Sequence, residues 1–151
     1  MIAIPDLARL RALAGRDIGA SDWIVVTQER IRAFADATDD HQWIHVDADR
    51  AATDTPFGSS IAHGFLTLSL LSAQMRNALS IGGLRMTLNY GLNRVRFVSP
   101  VPAGARIRAV IALGSVTDVD GGAQAAWNIT VEREGADKPC LVAEWLVRYY
   151  V

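Results

Sequence analysis

One cysteine, Cys140, is all the thiol chemistry in this chain of 151 residues. That excludes an intrachain disulfide and any cluster of cysteine metal ligands, and a lone cysteine beside a strand reads as a small core residue. Net charge is nearly absent too: 15 Lys and Arg stand against 16 Asp and Glu, leaving −1. Such a balance offers no electrostatic ground for nucleic acid or an anionic membrane as partner. Long apolar runs are also missing. The longest, Ile61 to Met75, is broken by His63, Thr67, Ser69, Ser72 and Gln74, and is too short and too polar to cross a bilayer. At the start of the chain Asp6, Arg9 and Arg11 interrupt the apolar residues, so no continuous signal-peptide core exists and a cytosolic location is expected. No repeat, low-complexity tract or linker divides the chain, and residues 1–151 read as a single domain.

What is present is a core-forming composition, 50% hydrophobic and 21% charged, and a chain that changes character halfway. The first half reads as helical. Residues 5–14 suit a short helix ending at Gly15, and residues 23–26 a short strand. Thr27 then caps a helix whose apolar stripe is Ile31, Phe34 and Ala35. This helix should fail around Thr38-Asp39-Asp40, whose side chains compete for backbone hydrogen bonds. Residues 47–53 suit another short helix. From Gly64 to Leu79 the sequence is apolar on every face, which predicts a helix buried on all sides.

The second half supplies strands to wrap it. Ala123, Ala125, Trp127, Ile129 and Val131 alternate with polar residues, as do Leu141, Ala143, Trp145, Val147, Tyr149 and Val151. Residues 105–113 form a third strand. Between Met86 and Val98 the apolar parity slips, which predicts a bulge near Gly91 to Arg94. Asp120-Gly121-Gly122 is a hairpin signal. Four or five antiparallel strands around one helix define an α+β class and a hot-dog architecture.

All three histidines fall in two short stretches, Thr38 to His45 and His63-Gly64. On one continuous helix Asp40 and His45 would diverge, because five residues turn by about 140° at the helical repeat. They converge only if the helix ends and the chain turns between them. A carboxylate and an imidazole meeting beside an apolar cavity can activate water, one taking a proton while the other holds or relays the second. The same two residue types also meet as an ordinary capping and surface pair. Gly64 has two readings as well. Its N–H, in the first turn of a helix, can bind a thioester carbonyl as that oxygen gains negative charge. Equally, a residue without a side chain permits tight entry into a packed helix. Asp40, His41 and His45 are one further arrangement, a metal set, if the segment stays helical.

Three motifs in order carry a specific resemblance. FADATDDHQWIH at 34–45 resembles the signature F-A-x-x-[ST]-G-D-x-N-P-[LIV]-H of the MaoC-like (R)-specific enoyl-CoA hydratases. IAHGFLTLSLLS at 61–72 is similar to that family's second conserved block. NYGLNRVRF at 89–97 resembles most closely the branch named for nodulation protein N. The likeness runs from about Gly15 to Tyr150 and departs from the signature at Asp39, Gln42 and Trp43, where the family has Gly, Asn and Pro.

The resemblance implies a hot-dog hydratase adding water to a trans-2-enoyl-CoA to give the (R)-3-hydroxyacyl product, in fatty-acyl metabolism. By position it implies Asp40 and His45 as catalytic. It places substrate at the Gly64 N–H and at His63, Ser72, Gln42 and Trp43. It implies no metal and no cofactor, coenzyme A being part of the substrate, and a homodimer joined through sheet edges. Arg94 and Arg96 are candidates for the nucleotide phosphates, and Trp43, Phe57, Phe65 and Met75 for an acyl tunnel. Two other readings stay open: a hot-dog acyl-CoA thioesterase and a non-catalytic acyl-thioester-binding module. Against the thioesterase, Gly64 to Leu79 contains no Asp or Glu, the residues such enzymes carry on the central helix.

Overall fold

A computed structural model describes all residues, 1–151. Its frame is one antiparallel sheet in the order β2-β6-β7-β8-β5. The strands are β2 (Arg16–Ala20), β5 (Met86–Phe97), β6 (Arg106–Val119), β7 (Gly122–Arg133) and β8 (Leu141–Tyr150). A short β3 (Ile24–Val25) adds to β6 at the same edge as β2. Outside this sheet β1 (Ile2–Ile4) pairs in parallel with β4 (Leu79–Ile81), tying the start of the chain to the end of the central helix.

The long strands follow from alternation. Every second residue of β7 from Ala123 to Val131 is buried, and every second residue of β8 from Leu141 to Tyr149. One face of the sheet therefore forms the core, in which the indole N–H of Trp127 donates to the hydroxyl of Tyr149 at 3.0 Å. β6 and β7 meet across Asp120-Gly121, with Gly121 at φ 74°, a left-handed angle that glycine adopts without cost. β5 carries two register shifts against β8, at Asn89/Gly91 and Leu92/Arg94, which produce the slip in its apolar parity.

Short helices lead into the core. α1 (Leu7–Ala12) is capped by Asp6, whose carboxylate accepts the Arg9 N–H at 2.7 Å. α2 (Gln28–Thr38) is capped by Thr27 and buries Ile31 and Ala35. It is followed by α3 (Trp43–Val46), a single turn, and by α4 (Ala48–Asp54), capped by Asp47. The central helix comes in two pieces, α5 (Gly64–Ser69) and α6 (Leu71–Ala78), joined by a tighter turn at Leu70. It is not buried all round, as its composition led one to expect. Leu66, Leu71, Met75 and Ala78 face the sheet, while Phe65 is 67% exposed and Arg76 and Asn77 face solvent. The reason is topological: β5 is an edge strand, so nothing in the chain closes over that flank. No helix is long and apolar enough to cross a membrane.

Candidate active site

Asp39 ends α2 in the left-handed region, at φ 59° and ψ 19°. Asp is among the few residues that tolerate this conformation, because its short side chain bonds locally. The turn redirects the chain so that Asp40 and His45 point to one place. One donor atom from each of Asp40, His45 and His63 lies within 4.8 Å of the others. The convergence required of the pair is met, and the turn chemistry of residues 38–40 achieves it.

His45 is held on three sides. Its N–H donates to the Gln42 carbonyl at 3.0 Å, closing the single turn of α3. Its own carbonyl accepts from Nε2 of Gln28 at 2.8 Å, and Oε1 of Gln28 in turn accepts the Ser60 hydroxyl. Its ring Nδ1 donates to the Ile61 carbonyl at 2.7 Å, which leaves Nε2 with a free lone pair. Burial holds the His45 pKa below 6.5. The Ile61 carbonyl opposes that shift, the neighbouring His63 adds to it, and Asp40 opposes it in smaller measure. The imidazole is therefore neutral near pH 7. Asp40, by contrast, is exposed.

A cavity of about 280 Å³ opens beside the His45 ring, walled by Gly64, Thr67, Phe97, Val101 and Cys140 among others. The Gly64 N–H, in the first turn of α5, has no partner within the helix. A Cβ added at Gly64 would come within 2.9 Å of the Phe97 ring, so the glycine keeps this wall closed and the N–H approachable. Cys140 is buried and donates its S–H to the Val131 carbonyl at 3.3 Å. Burial pushes its thiol up to about 11, so it is inert lining, not a nucleophile.

The other residues singled out in the sequence divide once placed. His63 is 2% exposed and stacks on the His45 ring, outside the residues that wall the cavity. Gln42 is exposed and Trp43 lies under the Arg50 guanidinium at 4.0 Å; neither lines the cavity. Ser72 lines two neighbouring cavities of about 270 and 520 Å³ along the central helix, the second also bounded by Met75. Phe65 stands edge-on to Phe97 at 5.9 Å. Phe57 is largely exposed, as are Arg94 and Arg96, and Arg96 donates to the Val95 carbonyl. The Ile61 carbonyl, Gln28 and Phe97 were not foreseen. A backbone acceptor has no residue signature, and Gln28 and Phe97 are ordinary members of a helix and a strand.

A metal set of Asp40, His41 and His45 does not form, because His41 is exposed and pairs with Asp36 at 2.9 Å. The group that does come together contains His63 instead. Its two imidazoles are stacked, centroids 3.8 Å apart and planes inclined by 26°. Ring-nitrogen lone pairs lie in the ring plane, and planes so nearly parallel meet beyond the reach of a metal bond. The arrangement suits a water at His45 better than an ion shared by both rings.

An antiparallel sheet folded against a central helix, with Asp40, His45 and His63 converging and His45 on the wall of a mostly apolar cavity, has the hot-dog architecture. The chain belongs to the MaoC-like dehydratase family, a family of hydro-lyases: the family model described as a MaoC like domain matches residues 10–134. It is 51% identical over 150 residues to the 3-hydroxyacyl-thioester dehydratase Z of Mycobacterium tuberculosis (strain ATCC 25618 / H37Rv), covering 99% of each chain. It is 48% identical over 143 residues to Nodulation protein N of Rhizobium leguminosarum bv. viciae, covering 93% of this chain and 88% of that one. Among solved structures, the (R)-hydratase from A. caviae shares the fold with a TM-score of 0.69 at 22% identity, covering 88% of this chain and 96% of that chain.

Proposed function

We propose that this protein is a reversible 3-hydroxyacyl-thioester dehydratase that, in the hydration direction, adds water to a trans-2-enoyl-CoA and yields the (R)-3-hydroxyacyl-CoA. The observation that carries the reading is the convergence of the exposed Asp40 carboxylate and the neutral His45 imidazole, the latter on the wall of a mostly apolar cavity. The name of the full-length mycobacterial relative supports it.

A water held by Asp40 and Nε2 of His45 attacks C3 of the enoyl group. Asp40 accepts one water proton as the C–O bond forms. The electron pair of the C2=C3 bond moves into the thioester, whose oxygen, now enolate-like, is held by the Gly64 N–H. Proton delivery to C2 from the same pair, on the same face, restores the carbonyl. The net change is OH on C3 and H on C2. The (R) outcome, and coenzyme A in place of a carrier protein, rest on the motif resemblance at residues 34–45 and 61–72. The cytosol as place of work and a homodimer belong to the same reading; the uncovered flank of the central helix and the free edge of β5 support the dimer.

Purified protein given crotonyl-CoA should consume the enoyl thioester without releasing free thiol, and chiral analysis should find the (R)-3-hydroxy product. Thiol release without hydration would establish a thioesterase instead. Binding without turnover would establish a module that only holds acyl thioesters. Turnover of the crotonyl carrier protein but not of crotonyl-CoA would move the carrier assignment alone.

A further inference from the structure

His63 is a buried titratable group that this chemistry does not consume. It is 2% exposed, and its Nδ1 has no hydrogen-bond partner. Its contacts run instead to both members of the pair. Nε2 lies 2.9 Å from the backbone carbonyl of Asp40, and no other hydrogen bond reaches that carbonyl. Its ring face lies on the His45 ring at 3.8 Å, and Phe34 closes on it with centroids 5.0 Å apart.

A carbonyl only accepts, so Nε2 carries the proton and Nδ1 keeps a lone pair. We propose that His63 is a positioning residue: its Nε2–H ties down the main chain of Asp40 while its ring face seats His45, keeping both within reach of one water. Asp40 needs such a tie. It follows a left-handed residue, belongs to neither α2 nor α3, and its side chain is exposed. His45 is fixed along its edge by Ile61, and the stack fixes its tilt. The inference rests on the proposal that these two residues are catalytic.

Three variants separate the two contacts. His63→Gln keeps an N–H donor at similar reach without the ring, His63→Phe keeps the ring without the donor, and His63→Ala loses both. Hydration of crotonyl-CoA should fall about 10²-fold in kcat for His63→Ala with KM within about threefold, since misplacement by about 1 Å has that cost. His63→Gln and His63→Phe should each recover part of it, to roughly tenfold below wild type. All three within about threefold of wild type, or a loss carried by KM alone, would overturn the proposal. A second measurement needs neither turnover nor variants. Nitrogen-15 NMR of the wild-type histidine rings should show a proton on Nε2 of His63. An Nδ1–H tautomer, with no proton on Nε2, would break the tie to Asp40, even if every variant failed to fold. A wild-type protein that hydrates neither crotonyl-CoA nor the crotonyl carrier protein would sink the functional reading, while the ring NMR would still decide the clamp.

Discussion

Nδ1 of His45 donates to the backbone carbonyl of Ile61 at 2.7 Å, and that bond settles which ring nitrogen is left for chemistry. The carbonyl is itself held in place. The Ile61 N–H donates to the Ile44 carbonyl at 3.0 Å, and the adjacent Ala62 N–H donates to that of Val101 at 2.8 Å. The segment entering the central helix is thus pinned to α3 on one side and to the β5–β6 connection on the other. Helix entry, imidazole tautomer and cavity wall are one local structure.

Removing either member of the pair should therefore stop chemistry without unfolding the protein. Asp40→Asn keeps the shape of an exposed side chain and loses only the proton acceptor. His45→Gln keeps a polar group in reach of Ile61. Each should lower kcat for crotonyl-CoA hydration by about 10²-fold or more, the usual scale for losing a general acid–base group. Thermal melts should stay near wild type. Activity within a few-fold of wild type in either variant would remove that residue from the mechanism.

His41 and His45 should titrate on opposite sides of 6.5. The exposed His41 gains the Asp36 carboxylate at 2.9 Å, which raises its pKa. Burial lowers that of His45. Below pH 6.5 the unfolded chain takes up a proton at position 45 that the native fold resists, so the stability due to His45 is present above 6.5 and is lost as pH falls through the folded value. His41 works the other way: its contribution is full below 6.5 and is lost as pH rises through the raised value. Proton NMR titration of the ring signals tests the order. The acidic limb of kcat/KM should lie below 6.5, and a His45 midpoint above it would show that the imidazole is not kept neutral by burial.

How far the molecule was legible in its sequence varied with the kind of signal. β7 and β8 were readable residue by residue, because a sheet with one buried face obeys period two. β6 continues to Val119, beyond the reading of 105–113, since a register shift at Leu113/Ser115 hides the later alternation. β1, β2 and β4, at 3, 5 and 3 residues, are too short to show a period. The turn that joins Asp40 to His45 was legible from Thr38 and Asp39. Gln42 and Trp43, close to His45 in sequence, stand outside the residues that wall the cavity, with Trp43 under the Arg50 guanidinium. The bond from His63 to the Asp40 carbonyl was invisible, because its acceptor is backbone.

Gln74 is where stability should be improvable. It sits on α6 with no exposure, and neither its amide oxygen nor its amide nitrogen has a hydrogen-bond partner. A buried polar group left unpaired costs about 1–3 kcal/mol. Gln74→Met preserves length and volume and removes both orphaned atoms. It should raise Tm by about 5 °C, given roughly 2–4 °C per kcal/mol for a chain of this size. The crotonyl-CoA rate should stay unchanged, because Gln74 lines none of the three cavities along the helix and beside His45. A lower Tm would mean that the amide is satisfied in solution.

The free edge of β5 should be covered by a second copy of the chain. Met86, Leu88, Tyr90, Leu92 and Phe97 are all exposed along this one strand, beside the still more exposed Phe65. An edge strand with unpaired backbone groups and apolar side chains is a template for pairing, and proteins rarely leave one open. Antiparallel pairing of β5 with its own copy is isologous and closes at two chains, so it does not run on into a fibre. It would also cover the open flank of the central helix, beside the cavity that Leu68 and Ser72 share with Tyr90 and Leu92. Light scattering at micromolar concentration should give about twice the chain mass of 16.4 kDa. Leu88→Lys with Leu92→Lys places charges along the seam and should return the mass to that of one chain. A wild-type monomer under the same conditions would mean that something other than this chain covers the edge.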